Sequence, residues 1–107
     1  MAYIREIRGH TPQVGENTFL AETAVLVGDV TVGRDCSIWY NAVLRGDVNT
    51  ITIGDRTNIQ DGVVIHSKSG APVVIGEYSS IAHRSIVHGP CEVGDRVFLG
   101  FNSVLFN

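Results

Sequence analysis

VGENTFLAETAVLVGDVTVGRDCSIWYNAVL, residues 14–44, decides the fold. Its aliphatic residues recur at every sixth position: Val14, Leu20, Leu26, Val32, Ile38 and Leu44. Three residues, Thr50–Thr52, interrupt the count, which resumes at Ile53, Ile59 and Ile65. Four more, Ala71–Val74, interrupt it again before Ile75, Ile81, Val87, Val93, Leu99 and Leu105. A helix would need apolar residues at steps of three and four, and long strands would alternate; neither pattern is present. A fixed short period means a solenoid, whose coils place residues of one phase in vertical columns. The position four residues after each aliphatic is mostly small and reads as an inward corner seat: Thr18, Ala24, Val30, Cys36, Ala42, Val48, Thr57, Val63, Ser69, Ser79, Ser85 and Cys91 among them. Cys36 and Cys91 therefore read as buried packing residues rather than a disulfide or a metal site.

With 107 residues, a net charge of −3 and 18% charged residues, the chain is one domain without the basic balance of a nucleic-acid partner. No apolar run approaches the roughly 20 residues of a membrane span. The opening MAYIREIRGH lacks the apolar stretch of a signal peptide, so a cytoplasmic location is expected. Glycines directly following an aliphatic, as at Gly15, Gly33, Gly54, Gly76 and Gly94, mark short strands joined by tight turns.

This pattern resembles the hexapeptide-repeat, left-handed parallel β-helix, in which three hexads form one triangular coil. The resemblance implies an all-β fold of about five coils, starting at Val14, Val32, Ile53, Ile75 and Val93, with both insertions between coils. Residues 1–13 would form an N-terminal strand or cap, and 14–107 the coils of a single domain. The last coil is incomplete, which reads as a C-terminal truncation or an open end that stacks on another chain. So thin a core makes oligomerisation the expected source of further stability.

Columns say which histidines meet. His66 follows Ile65 and His88 follows Val87, the third aliphatics of successive coils. They should lie one above the other on one outer face, roughly 4.8 Å apart, and could chelate one metal. His83, two residues after Ile81, falls near a different side and could reach that pair only from a neighbouring subunit. Three nitrogens with an open fourth position describe a hydrolytic or hydration zinc centre. Arg45 shares the phase of His66, and Asp61 lies one coil below His83, where it could accept the free N–H of that ring or merely cap an Asp-Gly turn. His10 reads as a solvated side chain, and Trp39 with Tyr40 as an outward aromatic pair suited to interface packing.

VLRGD (43–47), NIQDG (58–62), VIH (64–66) and AHRSIVHGP (82–90) together resemble the gamma-class carbonic anhydrases along essentially the whole chain. The resemblance implies reversible hydration of carbon dioxide to bicarbonate by a zinc-bound hydroxide. It implies a homotrimer with metal sites between subunits, His66, His83 and His88 as ligands of zinc (iron or cobalt being possible), and no further cofactor. Arg45 and Asp47 match the family's subunit-joining segment; Gln60 and Asp61 match residues beside the metal-bound water, with Gln60 orienting hydroxide or bicarbonate. Where active members carry an acidic proton-shuttling loop, this chain reads SKSGAP (67–72), without a carboxylate. A non-catalytic trimeric assembly protein and a hexapeptide acyltransferase stand as the alternatives.

Overall fold

In the computed structural model, which describes residues 1–107, the fifteen repeat aliphatics form three vertical columns of five. The fold is a parallel β-helix with three faces and no helix. No helix is therefore long and apolar enough to cross a membrane.

The first face holds β2 (Gln13–Val14), the ends of β4 (Val25–Val32) and β6 (Val43–Ile53), then β9 (Val73–Ile75) and β12 (Cys91–Val93). The second holds β3 (Phe19–Leu20), β5 (Ser37–Ile38), β7 (Asn58–Ile59), β10 (Ser80–Ile81) and β13 (Phe98–Leu99). The third begins with β1 (Tyr3–Arg5), then the starts of β4 and β6, β8 (Val64–His66), β11 (Ile86–His88) and β14 (Val104–Phe106). The N-terminal strand lies under coil one on this third face, with Ile4 opposite Leu26. Eleven of the fifteen column residues are buried; Val14, Leu20, Leu99 and Leu105, in the terminal coils, are only partly so.

The corner seats explain the small residues. Thr18 Oγ1 donates to the Gly33 carbonyl at 2.7 Å and accepts the Cys36 N–H at 3.1 Å. Thr57 repeats the pattern, donating to Gly76 O at 2.7 Å and accepting from Ser79 N at 3.2 Å. Ser79 does the same with Gly94 O (2.8 Å) and Val97 N (3.1 Å), and the Cys36 thiol reaches Gly54 O at 3.1 Å. A hydroxyl here is both donor and acceptor, so one small side chain serves backbone groups that the ladder leaves over.

At the corner after the first face each coil has one left-handed residue: Asn17, Asp35, Arg56, Tyr78 and Arg96, with φ of 55–58°. Such a backbone costs roughly 1–2 kcal/mol for an ordinary residue. From Asp35 upward the N–H of each donates to the coil below, and the Tyr78 ring lies between the Arg56 and Arg96 guanidiniums at 5.5 and 5.3 Å.

The structure moves both insertions. Ile51 pairs with Val30 and Thr52 with Thr31, so the first extra residues lie within Asp47–Thr50, not Thr50–Thr52. Val73 and Val74 pair with Cys91 and Glu92, so the second lie within Ser67–Pro72, not Ala71–Val74. Ile51 and Val73 therefore take the buried corner seats, while Val48 and Ser69 ride out on the loops and are exposed. Cys91 is also only half-buried: it sits above Val73 in the last full rung of its column.

Candidate metal centre

β8 and β11 pair in register, with His66 opposite His88 and Ile65 opposite Val87. Inward aliphatics fix the strand phase, so both histidines must point out of the third face. Their ring centroids are 5.1 Å apart and nearly perpendicular, at 80°. Arg45 lies below His66 and Phe106 above His88 in the same column. The His88 and Phe106 centroids are 5.2 Å apart.

Each histidine of this pair has one ring nitrogen engaged by the chain itself. His66 Nε2–H donates to Asp47 Oδ1 at 3.0 Å. His88 Nδ1–H donates to the Gly89 carbonyl at 2.9 Å. His83 Nδ1 lies 3.2 Å from Asp61 Oδ1. A ring nitrogen tied to an acceptor fixes the tautomer and leaves the other nitrogen with its lone pair free. His66 then offers Nδ1 and His88 offers Nε2, while His83 only approaches Asp61 without forming a hydrogen bond.

Asp47 is the hub of the pair. Its Oδ2 accepts from Arg45 Nη1 at 2.7 Å while Oδ1 serves His66. Burial pushes this carboxyl up, but the hydrogen bonds from His66 and Arg45 and the Arg45 charge outweigh that and hold it below the usual carboxylate range. The first insertion begins at Asp47, which frees the residue to turn back toward His66.

His83 stands on the turn after β10, on another face, and its ring is stacked 5.5 Å from Phe101. Trp39, Asn58, Gln60, Asp61 and His83 bound a cavity of about 310 Å³ on the second face. Gln60 Oε1 and Asn58 Oδ1 are buried without a hydrogen-bond partner. Nowhere do three metal-ligating side chains converge within the single chain. The residues brought together are thus His66, His88, Asp47 and Arg45 on one face, and Gln60, Asp61 and His83 on the next. Three imidazole donors, two of them with the tautomer preset, suit a borderline-soft divalent ion such as zinc, provided that two chains supply them. His10, on the hairpin after β1, pairs instead with Asp29, with Nδ1 to Oδ2 at 3.5 Å.

Sequence reasoning missed an apolar column. Tyr3, Val25, Val43, Val64, Ile86 and Val104 stack outward on the third face, two positions before the column of Arg45, His66 and His88. Val64, Ile86 and Val104 are 39%, 42% and 68% exposed. The signal was available, because the residue before every third aliphatic is Val or Ile, whereas the same position on the first face is mostly polar: Gln13, Thr31, Thr52, Val74 and Glu92.

Residues 11–46 and 72–107 match the family described as bacterial transferase hexapeptide (six repeats). The chain belongs to the hexapeptide-repeat family. Over 92 residues it is 48% identical to a probable carbonic anhydrase of Methanocaldococcus jannaschii, covering 86% of this chain and 57% of that protein. It is 43% identical over 102 residues to the mitochondrial gamma carbonic anhydrase 1 of Arabidopsis thaliana, covering 90% and 37% of the two chains. Protein YrdA of Escherichia coli is 38% identical, with 97% and 60% covered. The chain thus spans about two fifths to three fifths of the length of these relatives. A solved hexapeptide transferase family protein from Anaplasma phagocytophilum superposes with a TM-score of 0.78 at 31% identity, over 98% of this chain and 75% of that one.

Proposed function

We propose that the chain acts as a metal-dependent, carbonic anhydrase-like homotrimer. His66 and His88 of one protomer and the partner's His83 hold zinc at each subunit boundary. The observation that carries the reading is the register of His66 on His88, each with one ring nitrogen free, and His83 turned away on the next face beside Asp61. Names of relatives support it: the Methanocaldococcus protein is called a probable carbonic anhydrase and the Arabidopsis protein a gamma carbonic anhydrase. The apolar column beside the histidines supports a partner copy on the third face, since β-branched stripes of this kind cover themselves by association.

Bound zinc supplies the acidity that makes water a nucleophile near neutral pH. The chain does the rest. Asp47 holds the His66 ring and the Gly89 carbonyl that of His88, while Asp61 stands beside His83. Gln60 presents an amide with a free, buried oxygen, suited to orienting water or bicarbonate. Carbon dioxide enters as a neutral molecule and leaves as the bicarbonate anion.

Stopped-flow hydration of carbon dioxide by protein with measured metal content tests this. One zinc per chain and hydration above the buffer rate are expected; full sites with buffer-rate hydration would remove the catalytic reading. A specific observation favours a second one. The hairpin closed by the Lys68–Ala71 bridge follows His66 directly and carries no carboxylate to take up the released proton. A trimer that keeps the metal but serves as an assembly element fits that loop, and capture of a defined larger complex by catalytically silent protein would favour it. An acyltransferase reading, prompted by the Anaplasma neighbour, requires saturable binding of acetyl-coenzyme A in calorimetry.

A further inference from the structure

Trp39 is the only tryptophan of the chain. Its backbone N–H donates to the Ile59 carbonyl at 2.8 Å, and the Gln60 backbone N–H to Ile81 O at 3.0 Å, so Trp39 stands one coil below Gln60 on the second face. Its ring is braced on both sides, by Phe19 at 4.9 Å and by Tyr40 at 6.3 Å between centroids. The cavity of about 310 Å³ that it helps to bound is otherwise lined by Asn58, Gln60, Asp61 and His83. Trp39 is therefore the single apolar wall of a polar pocket that also holds a candidate metal ligand.

We propose that Trp39 is the surface against which carbon dioxide is held before hydration. The inference rests on the carbonic anhydrase-like reading above and adds a substrate-binding residue to it. Carbon dioxide is linear, has no net dipole and accepts hydrogen bonds weakly. Amide, carboxylate and imidazole groups prefer water to such a molecule, so in this pocket only an aromatic face favours the neutral reactant. Bicarbonate, unlike carbon dioxide, carries an O–H, which the unpartnered Gln60 Oε1 can accept. The wall thus discriminates the two ends of the reaction by polarity. Bracing by Phe19 and Tyr40 keeps the ring from collapsing into the cavity, which a lone exposed indole would do.

The test uses the assembled protein and two independent readouts. Cobalt(II), which quenches indole emission at short range, is titrated into the metal-free protein with zinc(II) as the non-quenching control. One cobalt per chain should quench Trp39 emission by more than half. In hydration kinetics, Trp39→Ala should raise KM for carbon dioxide about five- to tenfold, the effect of losing a small apolar contact. Metal content and trimer mass should be retained, kcat should stay within twofold, and Trp39→Phe should restore KM. Unchanged KM in Trp39→Ala overturns the inference, as does a joint fall of kcat and metal content, which would mark a structural role. Unquenched emission with cobalt bound overturns it too. If cobalt quenches but fully loaded wild type does not hydrate carbon dioxide, the enzyme reading itself has failed and takes the substrate assignment with it.

Discussion

Asp47 touches both Arg45 and His66, so it reports at the scale of a single side chain how the centre is prepared. Its folded pKa lies below its unfolded value. A depressed carboxyl contributes stability above its unfolded pKa of about 3.9 and loses it as pH falls through the folded value. Metal-free wild type should therefore be more stable than Asp47→Asn at pH 6–7, with the difference vanishing in acid; urea unfolding across that range checks it. At the same scale His83 separates shared from unshared ligands. His83→Ala and His66→Ala should each lose all sites, while mixed trimers should regain some. Metal analysis of re-assembled mixtures reads this directly, and failure of every mixture to recover metal would mean that the ligands are not divided between chains. His66, His83, His88 and the Asp61 contact were legible from phase alone, because a repeat converts sequence separation into position. The Asp47–His66 bond was not, because it depends on an insertion that moves Asp47 off the repeat.

Corner seats and glycine columns belong to the scale of the coil. Thr57→Val keeps shape but leaves Gly76 O and Ser79 N without their partner in a buried corner, so a loss of about 1–3 kcal/mol is expected in chemical denaturation. A Cβ on Gly54 would lie 2.7 Å from the backbone of Gly76 and Glu77, whereas one on Gly94 would meet nothing within 4 Å. Gly54→Ala should cost roughly 1–3 kcal/mol as an overpacked contact between coils, and Gly94→Ala nearly nothing. Comparable losses for the two would argue against coil spacing as the reason for the glycines. Positions of the repeat aliphatics were readable to the residue, yet both insertions were placed a few residues late. Thr50–Thr52 and Ala71–Val74 contain Ile51, Val73 and Val74, which pair in register with neighbouring coils, whereas the extra residues lie within Asp47–Thr50 and Ser67–Pro72.

Over the whole molecule the third face is the odd one. It carries the histidine pair, the Arg45–Asp47 ion pair and the outward apolar column. Placing a charge in that column should break association without touching the core. Ile86→Glu is expected to yield folded monomer in sedimentation, and to lose metal as a consequence, since His83 can then no longer reach the pair. A trimer that survives Ile86→Glu would put the seam elsewhere.

The hexad period determined a stacked solenoid, the phase of every histidine and the assignment of His83 to another side, because each is a matter of counting along a repeat; three hexads to a coil came from the family resemblance. Tertiary structure decided what counting cannot reach. It showed which ring nitrogen His66 and His88 keep free, where the chain leaves the coil, and that Val and Ile beside the histidine pair stack into a continuous apolar stripe. Those depend on side chains meeting across coils, and a loop of three or four residues shifts such meetings without altering the period on either side.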